Sequence, residues 1–196
     1  MILNLFRRNL RDGTIAALYG AIVAQARSSA FYRDHGVPDT ANGRLEMIVL
    51  HTVLVLSRLE AEGAAARPLG QALFDYFCSD MDANLREMGV GDMAVPRKMK
   101  AIAEAFYGRK RAYEAALAAP GLDELAAALV RNVHTEIAAT DAGVQQLAAY
   151  MRQAVRTLAA VDGAALQRGE LSFPDPLAFA AAESAGAPRG APRVAT

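Results

Sequence analysis

The chain has 196 residues, 53% of them hydrophobic and 21% charged, and its 21 basic residues balance 21 acidic ones. A chain of this size and composition buries a sizeable core and is not intrinsically disordered. Its neutrality argues against a general nucleic-acid binder, DNA included, although a local basic patch survives that argument.

Alanine is abundant, tryptophan is absent, and β-branched residues do not fall into short alternating runs, which points to helix throughout. Residues 1–10 form an apolar-basic arm. Leu3, Leu5, Phe6 and Leu10 with Arg7, Arg8 and Arg11 have the composition of a segment that lies on a membrane; the preferred reading is extended chain packed on the core. The apolar residues precede the arginines, the reverse of a secretory signal. Residues 14–28 read as a first helix through Ile15, Leu18, Tyr19, Ile22 and Val23. A polar loop with Gly36, Pro38 and Gly43 follows. Residues 44–62 form a second helix, apolar on most faces and therefore central; Leu56 belongs to its core and Arg58 does not. Its most apolar stretch, Leu45 to Leu56, is too short to span a bilayer and contains Glu46, His51 and Thr52.

Pro68 opens a third helix that buries Leu69, Leu73, Tyr76, Phe77, Met81, Leu85 and Met88. Gly89 is placed as a left-handed cap, Gly91 loosens the turn, and Pro96 opens a fourth helix with Met99, Ile102, Ala103, Phe106, Tyr113 and Leu117 inside. Gly89, Gly91 and Pro96 thus form a structural hinge. Pro120-Gly121 breaks the chain before a fifth helix over 122–134. A sixth runs over 142–161 through Val144, Leu147, Met151, Val155 and Leu158. The expected architecture is all-α, a compact bundle of roughly six helices over 1–171, followed by a Pro/Ala/Gly-rich, disordered tail over 172–196.

The charges are unevenly placed. Asp75, Asp80, Asp82, Glu87 and Asp92 face only Arg86 in the third helix and its turn. From Pro96 to Arg111, Arg97, Lys98, Lys100, Arg109, Lys110 and Arg111 face only Glu104. Cations in the first turn of a helix oppose its dipole, at up to about 1 kcal/mol each, so either the third helix or an outside partner supplies carboxylates. Gly108 in mid-helix calls for a close backbone approach or a kink.

Candidates for chemistry are weaker. Asp75, Ser79, Asp82 and Arg86 share one helix face, which permits a magnesium-dependent, isoprenoid-type enzyme using Asp75 and Asp82. No second aspartate-rich helix exists to complete such a site, and Asp82 with Arg86 is an ordinary i,i+4 pair. His35, His51 and His134 show no ligand spacing, and His51 reads as a satisfied core histidine. Cys78, the single cysteine, has no basic neighbour to activate it.

The run LFDYFCSDMDANLREMGVGDMAVPRKMKAIAEAFYGRKRAYEAAL at 73–117 resembles the ubiquinol–cytochrome c chaperone family. So do FYRDHGVPDT at 31–40 and RLEMIVLHTVLVLSRL at 44–59. The most specific part is D-M-D-x-x-L-R-E-M-G-V-G-D followed by V-P-x-K-M-K. The resemblance is dense over 19–117 and thin beyond 118. It implies a non-enzymatic assembly factor that binds nascent or unassembled cytochrome b during biogenesis of the cytochrome bc1 complex. It carries no catalytic residue, cofactor or metal. Mitochondrial members work near the ribosomal exit with a small partner protein, so the ribosome and a membrane surface are further partners. No mitochondrial presequence is evident, and the expected setting is cytoplasmic, peripheral at the inner-membrane face of a bacterium. The expected client surface comprises Arg86, Arg97, Lys98, Lys100, Tyr107, Arg109, Lys110 and Arg111. A plain helical scaffold for another membrane protein would use the same surface.

Overall fold

A helix that is apolar on nearly every side has to sit where other helices surround it. In the computed structural model this is α3 (Ala41–Ala61), which buries Met47, Val49, Leu50, Val53, Leu54, Val55, Leu56 and Leu59. The description covers residues 2–134 and 137–179, with residues 2–11 described by backbone alone. Around α3 pack α1 (Ile2–Ala26), α4 (Arg67–Glu87), α5 (Val95–Ala118) and α7 (Ala142–Ala159). α6 (Asp123–Asn132) bridges α5 and α7, and α2 (Ser29–Arg33) and α8 (Gly163–Gln167) are single turns. No strand occurs among the described residues. The fold is an all-α bundle.

The start of α3 is set by two local features. Thr40 caps it by accepting from the Gly43 N–H at 3.1 Å. Gly43 itself faces the preceding loop so closely that a Cβ there would lie 2.0 Å from the Pro38 carbonyl oxygen. Only glycine lets the loop cross the helix there.

Gly89 ends α4 with φ 79°. Val90 N–H donates to the Leu85 carbonyl at 3.0 Å and Gly89 N–H to the Arg86 carbonyl at 2.9 Å, the paired bonds of a Schellman motif. Pro96 lies in the first turn of α5, where a missing N–H costs nothing. Gly89 thus caps α4 and Pro96 stands at the start of α5. Gly91 has no left-handed φ, and its Cα faces open space.

Four expectations change. α1 begins at Ile2, not at residue 14, so the arm is helical backbone rather than extended chain. Nothing in 2–12 forbids a helix, and the single Gly13 costs only about 1 kcal/mol. Tyr76, Met88 and Val155 are exposed, at 43%, 73% and 37%, because α4 and α7 each bury a narrower stripe than the pattern suggests. Arg58 is bound: it donates to the Leu158 and Val161 carbonyls at 2.9 and 2.8 Å, closing the end of α7, and pairs with Glu62. Finally, the chain beyond 171 packs on the core as far as 179. Phe173 stacks edge-on against His51, Pro176 is buried at the start of a 3-10 turn (Pro176–Phe179), and Phe179 meets Tyr150. Aromatic residues at 173 and 179 supply the apolar area that the remaining composition lacks. Residues 180–196 lie outside the described residues.

Beneath this strap lies His51, with Phe31 between its ring and that of His35, which in turn meets His134. His51 is fully buried, its Nδ1 is 2.7 Å from the Met47 carbonyl and its Nε2 2.8 Å from the Tyr150 hydroxyl. A carbonyl only accepts, so Nδ1 carries the proton and Nε2 accepts from Tyr150. Gln25 then donates to the Tyr150 oxygen at 3.0 Å and to the Pro174 carbonyl at 3.1 Å. Donor and acceptor alternate from α3 through α7 to α1 and the strap. His134 donates to the His35 carbonyl at 2.9 Å. Burial pushes His51 down to about 4, and lowers His35 and His134 also. Spacing in the sequence gave no sign of this arrangement, though His51 is the core histidine it predicts.

Candidate functional site

The basic helix divides by geometry. At about 100° per residue, Phe106, Arg109 and Tyr113 point one way, while Lys100, Glu104, Tyr107 and Arg111 point the other. The inner side is committed. Arg109 lies bidentate on Glu46 of α3, which is only 3% exposed, with both bonds at 2.5 Å. Burial pushes the Glu46 carboxyl up, against the pull of the Arg109 guanidinium. Lys110 bridges Glu60 of α3 and Glu114 of its own helix at 2.9 and 2.7 Å. These two cations are bolts between α5 and α3, and the candidate client surface loses them. Arg86 is also engaged, with Asp82 and Asp92, on the surface.

The carboxylates of α4 do not reach across to α5. Asp75 accepts from Gln71, Asp82 from Arg86, and Asp80 from the Tyr19 hydroxyl at 2.7 Å. Burial, with Asp80 behind it, raises the Tyr19 phenol well above its usual range. Among the described residues no group of three or more histidine, cysteine or carboxylate side chains is placed to hold a metal ion. Asp75 and Asp82 thus have no partners for a magnesium centre. Burial and the Asp75 carboxylate push the Cys78 thiol up, away from reactivity.

The outer side of α5 is open. Arg97, Lys98 and Arg111 are exposed with no ion-pair partner among the described residues, and Lys100 has only Glu104 at 3.7 Å. Tyr107 is 51% exposed and rests on Phe74 with ring centres 5.3 Å apart. Beside it opens a groove of about 530 Å³ between α3, α4 and α5. Leu56, Leu59, Phe74 and Phe106 form its apolar walls, and Arg67 and Lys110 stand at its rim. Gly108 meets nothing within 4 Å, so neither a close backbone approach nor a neighbour explains it. The groove was not foreseen. Of its aromatic residues, Phe106 reads in the sequence as core and Tyr107 as part of the client surface, while Phe74 carries no signal there.

This constellation is a receptacle without a nucleophile, acid–base pair or ligand set, and comparison with other proteins gives it a family. The profile of the ubiquinol-cytochrome C chaperone family matches residues 33–173. The chain belongs to the ubiquinol–cytochrome C chaperone family. The match extends well past 118, where the resemblance in the sequence had thinned. It is a chaperone and assembly-factor family, not an enzyme family.

The crystal structure of the Cbp3 homolog from Brucella abortus superposes with a TM-score of 0.80 at 42% identity, over 90% of this chain and 98% of that one. Ubiquinol-cytochrome-c reductase complex assembly factor 1 of Xenopus laevis is 27% identical over 76% of this chain and 75% of its own length. The human protein of that name is 25% identical over 81% of this chain, which spans 54% of the human one.

Proposed function

We propose that this family member is an assembly factor of the cytochrome bc1 complex that holds cytochrome b before it is assembled. We place it peripherally, at the inner-membrane face of a bacterium. The observation that carries the reading is the open groove beside Tyr107, with apolar walls, Arg67 at its rim, and Lys100 and Arg111 on the outer face of the same helix as Tyr107. An unassembled membrane protein presents apolar helices next to polar loops. A groove walled by Leu56, Phe74 and Phe106 takes an apolar side chain, while Lys100, Arg111 and Arg67 meet acidic loop residues. Interfaces concentrate binding energy on such aromatic and arginine anchors. Among the described residues no helix is long and apolar enough to cross a membrane, so the client is met from outside the bilayer.

The test is site-specific photocrosslinking. A benzoylphenylalanine replaces Tyr107 in one tagged variant and exposed Arg156 on α7 in another, and each is captured from detergent-solubilised membranes. The reading expects a cytochrome b adduct from position 107 and none from 156. Capture of cytochrome b without an adduct at 107 moves the site elsewhere. Absence of cytochrome b from both captures removes the client assignment.

A further inference from the structure

The turn between α4 and α5 is the most exposed apolar feature among the described residues. Met93 is 96% exposed and Met88 73%, more than any other large hydrophobic side chain among the described residues. They flank the Gly89 cap, and Val90 between them is partly exposed. No groove is involved. The turn is a convex projection at the end of a long helical hairpin, held by the Schellman bonds of Gly89 and Val90. Arg97 and Lys98 follow within the first turn of α5, exposed and unpaired among the described residues, and Lys100 has only its distant Glu104. Arg86 lies between Asp82 and Asp92, and Glu87 adds a further carboxylate, so the unpaired cations of the tip, among the described residues, are those that open α5, Arg97 and Lys98.

We propose that this tip docks on a membrane surface containing anionic lipid. Met88 and Met93 enter the boundary between headgroups and acyl chains, and Arg97 and Lys98 lie against lipid phosphates. Isolated protruding thioethers suit a fluid apolar layer, which needs no shaped complement. A protein client would be read by a concave, aromatic-lined site, which this molecule has about 14 Å further along α5, at Tyr107. Apolar insertion combined with adjacent cations is the chemistry of peripheral attachment to negatively charged leaflets. The inference does not depend on which protein the groove holds.

The experiment is co-sedimentation of the full chain with vesicles of phosphatidylcholine alone or with phosphatidylglycerol added. The proposal expects binding to the phosphatidylglycerol vesicles, at least about tenfold weaker binding to the neutral ones, and loss on raising the salt. Met88→Ser with Met93→Ser should weaken partitioning about tenfold, and Arg97→Glu with Lys98→Glu should abolish it. Both variants should keep their circular dichroism, since all four side chains are exposed. Three outcomes overturn the proposal. The wild type ignores anionic vesicles; the methionine variant binds as the wild type does, so that another segment is the anchor; or vesicle binding persists while self-association or cytochrome b capture is lost, so that the tip meets protein.

Discussion

The α3–α7 end and the α4–α5 hairpin are built from similar residues and put them to opposite uses. At the first, every polar side chain in the His51–Tyr150–Gln25 chain finds a partner, and Phe173 and Phe179 seal it. At the second, Met88, Met93 and Tyr107 stay in solvent beside cations without internal partners. The contrast even divides α5 lengthwise: Arg109 is bound to buried Glu46, while Arg111, two residues on, is free among the described residues. A basic run in a sequence is therefore not one surface. A helix turns it through the core, and only the arc that faces away is available to a partner.

The comparison breaks most readily at Tyr150. Its ring is fully buried, so Tyr150→Ala should cost about 3–5 kcal/mol in urea unfolding. Met93→Ala should stay within about 0.5 kcal/mol. Similar losses from both would erase the division. Next comes the split within α5. Arg109→Ala strands a buried carboxylate and should cost up to about 3 kcal/mol, toward the low end for buried pairs because Arg109 keeps 22% exposure. Arg111→Ala should leave the unfolding midpoint nearly unchanged.

Acid sharpens the same contrast. His51 is held neutral with a value of about 4, below the ordinary 6.5, so the unfolded chain takes up its proton first. Stability is therefore full above pH 6.5 and falls as pH drops toward 4, by about 3 kcal/mol from this residue. His35 and His134 act in the same direction. Melting temperature measured from pH 7 to 4.5 should decline, and His51→Gln should flatten the decline. A pH-independent melting temperature would mean that the histidines are not held neutral.

The smallest effects concern the hairpin's glycines. Gly89→Val should destabilise by about 1–2 kcal/mol because of its positive φ. Gly108→Ala should stabilise by roughly 0.5–1 kcal/mol, since a Cβ there meets nothing. Thermal melts of the two variants should move in opposite directions.

Much of the bundle was legible because helix signals are local. Periodicity placed α3, Pro68 and Pro96 marked the starts of α4 and α5, and Gly89 marked a cap. What was not legible depends on contacts distant in sequence. Nothing near Arg58 reveals that the α7 carbonyls lie within its reach, and nothing near Glu46 reveals Arg109, 63 residues away. The strap over 171–179 hid in a composition that looks unable to fold, because two aromatic residues on a preformed surface suffice. For the candidate site, Tyr107 could be chosen from its spacing, but the groove beside it exists only once α3, α4 and α5 are packed.

The central claim is that client binding belongs to the outer arc of α5 and stability to its inner arc. Lys100→Glu with Arg111→Glu tests it directly, in capture of cytochrome b from solubilised membranes at moderate salt. The prediction is a wild-type melting temperature and helicity with capture reduced by about tenfold or more, as loss of interface anchors produces. Capture at the wild-type level from this variant, fully folded, would contradict it.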